Sequence, residues 1–383
     1  MGRNLFVGTA LLLVSGAAQA SSDAATRFGA RENVRQVSLS PDGKHIAFVA
    51  AATGRSSSLF IVSTEDGIPK PILKSTGNPD QLQWCRWSTD TRLVCGIYMV
   101  LRDGDGPIEF SRLVTVNSTG ADLKLLSARD SYYAMGLATR GGSVIDWGGE
   151  GTGGTVLMTR DYVAQQSIGN LAADTRQGRG VDRVDTTTLK RITIEQPRAD
   201  AALYLGDGHG KVRIMAVRRK DSDGEDWGDL VYYYRKATSR EWLPMSAGGA
   251  ETAGFTPIAI DSLHDVTYGM ADKGGRDALF SVALDGTLKR SLVLDRSDVD
   301  VDELLSIGRQ DRVVGASYAT ERRQAEFFDP ELRKLSASLS KALPGLPLVS
   351  FVDASADESN VRAAMLDQID AFLRTSLHLP PAP

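Results

Sequence analysis

A hairpin signature recurs along this chain, and it limits the possible folds more than any other feature. At residues 37–50, alternating apolar and polar side chains flank a Ser40-Pro41-Asp42-Gly43 turn. Pro41 restricts φ and Gly43 tolerates a positive φ, so the two runs are predicted to pair as an antiparallel hairpin. Similar units of roughly 40–60 residues, each with short strands and Gly/Asp turns, are typical of a β-propeller. An all-β sandwich is the alternative, but it would not repeat this turn chemistry at one position in each unit.

Seven such units are predicted, within a propeller that spans residues 34–358. The fold class is therefore all-β, and the last unit supplies only one recognisable strand. The predicted units are residues 34–74, 81–126, 134–194, 199–245, 255–294, 301–339 and, incomplete, 348–354. Within the sixth unit, the stretch AEFFDPELRKL is predicted to form the outer strands of a blade.

The start of the chain has the features of an export signal. Arg3 gives a positive beginning, Leu5–Val14 is an apolar core too short to span a bilayer, and residues 18–20 form an A-x-A cleavage site. Cleavage there would release a periplasmic or secreted protein that begins at Ser21, with residues 21–33 as a linker. The alternative is a signal that is retained as a membrane anchor.

The last residues, 359–383, are predicted to form a different element. After a potential N-cap at Ser359 or Asn360, apolar residues recur at helical spacing, which predicts an amphipathic helix of about four turns. The apolar stripe consists of Val361, Met365, Leu366, Ile369, Phe372 and Leu373. Because an incomplete seventh unit would leave blade surfaces open, we expect this helix to fold back over the gap or onto a propeller face, or else the protein to self-associate.

The composition is that of an ordinary globular protein. The chain has 42% apolar and 24% charged residues and a formal net charge of −4. Its lysines and arginines are scattered, so the charge gives no support for a nucleic-acid partner.

The two cysteines, Cys85 and Cys95, flank a stretch predicted to be a strand end, a turn and a strand start. With an odd number of loop residues centred on Asp90, they would lie directly opposite each other, at a separation that suits a disulfide. With an even number they would point to opposite faces and could not pair. Export favours the bond, and two buried thiols are the alternative.

Several of these features resemble the propeller of the prolyl oligopeptidase family of serine peptidases. The resemblance rests on the signal-like start, the phrases SPDGKHIAF and LFIVSTEDG, and the seven-unit count, and it covers residues 27–359. In that family an α/β-hydrolase domain follows the propeller and ends in an amphipathic helix, which VRAAMLDQIDAFLRTSL resembles. The resemblance therefore implies a propeller and a terminal helix joined near residues 358–361, with the catalytic domain missing between them.

This resemblance leads to a limited expectation for function. The chain is expected to be a catalytically inactive remnant of an exported peptidase that at most binds peptides in its channel, or a partner protein. One alternative is a working serine peptidase whose catalytic part is supplied elsewhere. Another is that the deletion is an accident of the gene or of its reading.

No catalytic residue is predicted. The G-x-S-x-G elbow of the family is absent, and the nearest match, Gly315–Ala319, lacks the final glycine, so Ser317 is interpreted as a strand residue. No histidine has the serine and carboxylate setting of a triad. All four are interpreted as solvated turn residues: His45, His209, His264 and His378.

Three other patterns could suggest metal or cofactor sites, but none is predicted to be one. The acidic loop 221–226 lacks the spacing and the distal glutamate of a calcium loop. Asp298, Asp300 and Asp302 are predicted to share one strand face, solvated or paired with basic residues, with a cation site as the alternative. Gly148–Gly154 precedes a strand-like run, so it is predicted to be a blade loop and not a dinucleotide loop.

Aromatic residues concentrate at the predicted starts and edges of the blades. They are expected to pack between blades, and ligand stacking in the channel is the alternative. These residues are Trp84, Trp87, Trp147, Tyr232, Tyr233, Tyr234 and Trp242.

Overall fold

Six consecutive four- or three-stranded sheets make up the protein. The structure is a computed structural model, and it describes residues 31, 34–103, 106–148, 153–167, 173–220, 226–351, 353 and 354. Each sheet is an antiparallel meander whose strands neighbour one another in chain order, as in the blades of a propeller. The β-propeller prediction is confirmed, but the described blades number six and not seven.

The first strands of blades 1 and 2 contact each other, as do those of blades 3 and 4 and those of blades 4 and 5, which places these strands on the inner side of the blades. Blade 1 contains β1 (Gln36–Leu39), β2 (His45–Ala51), β3 (Ser57–Ser63) and β4 (Lys70–Lys74). Blade 2 contains β5 (Asp80–Thr89), β6 (Arg92–Asp103), β7 (Gly106–Asn117) and β8 (Lys124–Leu125). Blade 3 contains β9 (Val144–Asp146), β10 (Thr155–Tyr162), β11 (Gly178–Asp185) and β12 (Arg191–Arg198). Blade 4 contains β13 (Ala201–Gly206), β14 (Val212–Lys220), β15 (Asp226–Tyr234) and β16 (Leu243–Pro244), and a 3₁₀ helix (Met245–Glu251) follows it. Blade 5 contains β17 (Thr256–Asp261), β18 (Val266–Asp272), β19 (Asp277–Ala283) and β20 (Arg290–Leu294). Blade 6 contains β21 (Val301–Ile307), β22 (Arg312–Ala319), β23 (Arg323–Phe327) and the helix α1 (Pro330–Ala342).

The core lies between the blades. Between blades 1 and 2, for example, Val49 and Leu59 pack with Leu82 and Trp87, and all four are at most 1% exposed. Each blade is thus a sheet with two apolar faces, which explains why its strands alternate less strictly than those of a one-sided sheet.

The facing cysteines form the predicted disulfide. Cys85 and Cys95 are direct partners in the β5–β6 register, with an S–S distance of 2.06 Å and a Cα–Cα distance of 4.1 Å. The register shifts between Trp87 and Thr89. This β-bulge adds one residue to a two-residue turn, and the odd count brings the two cysteines to the same side of the sheet.

Blade 6 departs from the predicted pattern, because the helix α1 replaces its fourth strand. Asp329 caps this helix by accepting the N–H of Glu331 at 2.9 Å, and Pro330 occupies the first turn. Leu332, Leu335 and other residues of α1 pack against the outer face of blade 6. The prediction of outer strands for AEFFDPELRKL was therefore wrong beyond β23.

The predicted seventh unit has no strand at residues 348–351, 353 or 354. Phe351 instead packs on Phe327, with ring centroids 5.3 Å apart, and the Asp353 carboxylate accepts the N–H of Leu39 at 2.9 Å. This stretch therefore connects blade 6 to blade 1. The predicted export signal, most of the linker and the predicted C-terminal helix lie outside the described residues. In the described part of the chain, no helix has the length and apolar content needed to span a membrane.

Candidate functional site

The turns between the first and second strands of the blades, here called the inner turns, reach one another at one end of the ring. Arg309, in the inner turn of blade 6, donates to the carbonyl oxygens of Trp87 at 3.1 Å and Ser88 at 3.0 Å in blade 2. It also donates to the carbonyl oxygen of Trp147 in blade 3, at 2.8 Å. One guanidinium group therefore joins blade 6 to residues of blades 2 and 3 that are 162 or more residues away in the sequence.

Asp146, the last residue of β9, is a buried acid beside the inner turns, with 2% exposure. Its two carboxylate oxygens accept the N–H groups of Gly148 at 2.7 Å and Gly210 at 2.8 Å. Burial raises the pKa of Asp146 above 3.8, and these two hydrogen bonds act in the opposite direction. The carboxylate joins blade 3 to blade 4, and each of its oxygens accepts one backbone N–H.

A serine and a histidine meet in the inner turns of blades 4 and 5, although the sequence analysis did not connect them. Ser262 Oγ lies 2.8 Å from His209 Nδ1 and donates to the carbonyl oxygen of Asp207 at 3.1 Å. The same His209 nitrogen lies 3.0 Å from that carbonyl oxygen. In a catalytic triad, serine and carboxylate contact opposite nitrogens of the imidazole, so this arrangement does not activate the hydroxyl.

Ser317 lies inside β22 and is 1% exposed. Its Oγ accepts from the Arg323 guanidinium at 2.8 Å and lies 3.3 Å from the Asp302 carboxylate. The strand geometry and the burial differ from those of an exposed nucleophile on a strand-to-helix turn.

A pocket of about 450 Å³ lies between blades 2 and 3, and we call it the blade 2–3 pocket. This volume is within the roughly 300–1,000 Å³ typical of small-ligand sites. The residues that line it come from β1, from β5 to β7, and from the start of blade 3. Those used in the argument below are Gln83, Trp84, Arg86, Gly96, Arg112 and Trp147.

Two tryptophan rings form the apolar wall of the pocket. Trp84 and Trp147 meet edge to face, with centroids 6.1 Å apart and planes at 80°. Trp84 can lie flat on β6 only because Gly96 has no side chain: a Cβ there would stand 2.4 Å from Trp84 Nε1. Gly96 thus shapes the pocket, a role that a strand glycine commonly has.

Arg86 connects the pocket to the inner turns. Its guanidinium donates to the Asp311 carboxylate at 2.8 Å and to the Gly308 carbonyl at 2.6 Å, and it lies 4.8 Å from the centre of the Trp147 ring. Asp311 keeps half of its side-chain surface accessible, yet the surrounding protein desolvates it and raises its pKa above 3.8, against the effect of Arg86.

Arg112 has only neutral partners. It donates to the carbonyl oxygens of Ser111 at 2.7 Å, Thr139 at 2.9 Å and Ala138 at 2.9 Å. Among the residues that the structure describes, no carboxylate pairs with it. With Arg86, it makes one side of the pocket rich in hydrogen-bond donors.

The three aspartates predicted to share a strand face do not do so, since β21 begins after Asp298 and Asp300. Each pairs with an arginine: Asp298 with Arg296 at 2.9 Å, Asp300 with Arg276 at 3.7 Å and Asp302 with Arg323 at 2.8 Å. No group of three or more metal-ligating side chains comes together in the described ranges.

The histidines differ from one another in position. His209 and His264 lie in inner turns and are exposed, and His264 Nδ1 lies 2.8 Å from the Asp261 carboxylate. His45 is not a turn residue: it starts β2, its ring lies 6.1 Å from that of Trp87, and its Nδ1 is buried. His378 and most of the acidic loop 221–226 lie outside the described residues.

All of the predicted inter-blade aromatics belong to apolar clusters between blades, Trp84 and Trp147 in the one between blades 2 and 3. Trp87 is 1% exposed in the blade 1–2 cluster and donates its indole N–H to the Ser38 carbonyl at 3.1 Å. Tyr232 and Tyr234 belong to the cluster between blades 4 and 5, and Tyr233 and Trp242 to that between blades 3 and 4. Gly154 leads directly into the strand β10, as predicted.

No protein-family model matches the chain, and no curated protein matches it. Similar folds occur among solved structures. The chain is 12% identical to the acylaminoacyl peptidase of Pyrococcus horikoshii, with a TM-score of 0.42, over 80% of this chain and 47% of that one. It is 15% identical to the β-propeller domain of the Trilobed protease of Pyrococcus furiosus, with a TM-score of 0.42, over 78% and 86%. It is 11% identical to a prolyl endopeptidase, with a TM-score of 0.49, over 77% and 41%.

The chain therefore spans about half or less of the two complete peptidases. Likeness of this size concerns propeller architecture and establishes neither the family of this chain nor its activity.

Proposed function

We propose that this protein is an exported, non-catalytic propeller that binds extended peptides in the blade 2–3 pocket. The observation that carries the proposal is the perpendicular pair Trp84 and Trp147 beside the donor-rich wall of Arg86 and Arg112. Peptides in extended conformation offer apolar side chains and backbone carbonyl oxygens in alternation. Such a ligand matches a site with aromatic rings on one side and N–H donors on the other.

The proposal includes no hydrolytic step because of the surroundings of the two candidate serines, Ser262 and Ser317. Ser262 directs its proton to a backbone carbonyl, and Ser317 is buried within a strand. Among the described residues, neither contacts a histidine that a carboxylate orients through the other ring nitrogen, the arrangement that activates a nucleophile. Peptide cleavage by a catalytic part supplied elsewhere remains the alternative, and no feature of the described residues favours it.

Binding can be tested by selecting random 12-residue peptides displayed on phage against the purified protein. The dissociation constant of a selected peptide is then measured by fluorescence anisotropy. Trp84→Ala should raise it by about 30-fold or more, the effect of losing an aromatic anchor. Leu263→Ala is the control, because Leu263 is 81% exposed in an inner turn, away from the pocket. Failure to select any peptide, or equal constants for the two variants, contradicts the proposal.

Catalysis can be tested separately with chromogenic prolyl, alanyl and basic peptides and with a fluorophosphonate probe. We expect no turnover and no covalent labelling above the level of a boiled sample. Labelling that disappears in Ser262→Ala or in Ser317→Ala would identify a nucleophile and refute the non-catalytic proposal.

Export can be tested by expression with the native leader in a bacterium with a periplasm. The intact mass should correspond to a chain that begins at Ser21 with Cys85 and Cys95 oxidised, which the disulfide supports. A cytoplasmic protein that retains its leader would contradict this part of the proposal.

A further inference from the structure

The two faces of blade 1 differ in burial. Toward blade 2, Ala47, Val49 and Leu59 are completely buried. The opposite face, here called the free face, is also apolar, but its residues are only half-buried and belong to none of the buried apolar clusters that the described residues form. Its members are Val37, Leu39, Ile46, Phe48, Phe60 and Val62.

The strand register shows that these residues share one face. Val37 pairs with Phe48, and Phe48 pairs with Phe60. Direct cross-strand partners point to the same side of a sheet, so the three form one row across blade 1. Phe48 and Phe60 stack with centroids 5.3 Å apart and an angle of 13° between their planes. The free face therefore presents a flat aromatic centre surrounded by aliphatic side chains.

The other end of the blade series shows how this protein covers such a face. The outer face of blade 6 includes Phe327 and Ile307, which are 2% and 7% exposed. They are covered by Leu332 and Leu335 of α1 and by Phe351. An amphipathic helix thus buries the outer face of blade 6, as a neighbouring blade buries a blade face elsewhere in the ring.

The described chain ends beside the free face. Asp353 bonds the backbone of Leu39, one of the residues of that face, and Ala354 is 5% exposed. The chain continues for 29 residues, 355–383. Val361 is seven residues beyond Ala354, a reach of at most about 25 Å, and a strand of blade 1 is about 23 Å long. A helix over residues 361–373 would be about 20 Å long, so its length matches the face.

We propose that the segment Val361–Leu373 docks as an amphipathic helix on the free face of blade 1. The apolar stripe that includes Met365, Ile369 and Phe372 lies against Phe48 and Phe60. The docked helix then covers blade 1 as α1 covers blade 6. It buries an apolar face that would otherwise recruit another chain.

The test compares two variants of the full mature chain that add the same charge at neighbouring positions. Ile369→Asp introduces the charge in the stripe, and Ala371→Asp introduces it on the opposite side of the helix. Ile369→Asp should lower the melting temperature by roughly 4–8 °C, the shift expected when a large apolar side chain loses its cover in a chain of this size. It should also increase bis-ANS fluorescence, whereas Ala371→Asp should change neither. A chain that ends at Asp357 should give the same increase in dye fluorescence with the propeller unaltered.

A second comparison identifies the surface that is covered. Phe60→Ser should lower the melting temperature of the parent, but should add little in the Ile369→Asp background, because both changes remove one contact. Equal melting temperatures of Ile369→Asp and Ala371→Asp overturn the proposal. Additive losses of melting temperature in the double variant would overturn it as well. So would a dimer of the parent protein, detected by light scattering, that Phe60→Ser dissociates, because a second copy would then occupy the free face.

Discussion

The inner turns and the blade 2–3 pocket use neighbouring stretches of the same strands, but they differ in how their polar groups are satisfied. In and beside the inner turns, the charged groups Arg309 and Asp146 are bonded to backbone groups of other blades. In the pocket, Arg112 likewise donates to three carbonyl oxygens, but the side chain of Gln83 and the indole N–H of Trp84 have no hydrogen-bond partner among the described residues. Groups with partners hold a structure together, whereas the unpartnered donors of Gln83 and Trp84, beside the half-buried Trp84 ring, are available to a ligand.

This comparison assigns stability to one region and binding to the other, and variants can separate the two. Arg86 is the residue that joins them, since it lines the pocket and bonds the inner turn of blade 6.

The largest effect is expected from Arg309→Ala. It leaves three carbonyl groups without their charged donor and should reduce the free energy of unfolding by about 2–4 kcal/mol. Urea denaturation measures this loss, and peptide affinity under native conditions should be unchanged. Arg296→Ala is the matched control, since Arg296 pairs with Asp298 on the surface and its loss should cost less than about 1 kcal/mol. Equal losses for the two variants would show that the inner turns do not hold the blades together.

Gly96→Ala should act in the opposite way. The added methyl group would stand 2.4 Å from Trp84 Nε1, so the ring must move out of its place on β6. Peptide affinity should fall by about tenfold, with a stability loss of roughly 1–2 kcal/mol. At Gly136 an added Cβ would meet only Val163, at an ordinary 3.6 Å, so Gly136→Ala is the control and should leave affinity unchanged. Retained affinity in Gly96→Ala would mean that the position of Trp84 does not matter for binding.

The smallest effect concerns pH. Burial raises the pKa of Asp146 above 3.8, so its ionised form is disfavoured by folding, and its contribution to stability increases as pH falls through the raised pKa toward 3.8. The free energy of unfolding of the parent minus that of Asp146→Asn should therefore increase on acidification over this range. Urea denaturation at a series of pH values measures the difference. A difference that is independent of pH would contradict a raised pKa for Asp146.

The repeat could be predicted from the sequence because hairpin chemistry is local. Ser40–Gly43 specifies its own turn, and the facing of Cys85 and Cys95 follows from strand register, although the bulge near Ser88 that produces it could not be foreseen. The helix α1 had a local signal that was missed: Asp329-Pro330-Glu331 is an N-cap followed by proline at the first turn. The count of seven failed because residues 348–354 alternate like a strand but have no adjacent strand with which to pair.

The candidate site was less accessible to prediction. The blade 2–3 pocket combines Gln36, Trp84, Arg112 and Trp147, and their proximity depends on how one blade packs on the next. The contact between Ser262 and His209 arises in the same way, from turns of two blades. No sequence spacing encodes such contacts, whereas Gly96, a glycine within a strand of large residues, could have indicated a close approach.

The most direct test of the account is ¹⁹F NMR of protein labelled with 5-fluorotryptophan. The chain has five tryptophans, and single Trp→Phe variants assign their resonances. On saturation with a selected peptide, we predict that the resonances of Trp84 and Trp147 shift, because these rings form the wall of the pocket. Those of Trp87, buried between blades 1 and 2, and of Trp242, stacked under Arg235, should not move. Shifts confined to Trp242 or Trp87, or no shift under saturating peptide, would contradict the assignment of the blade 2–3 pocket as the binding site.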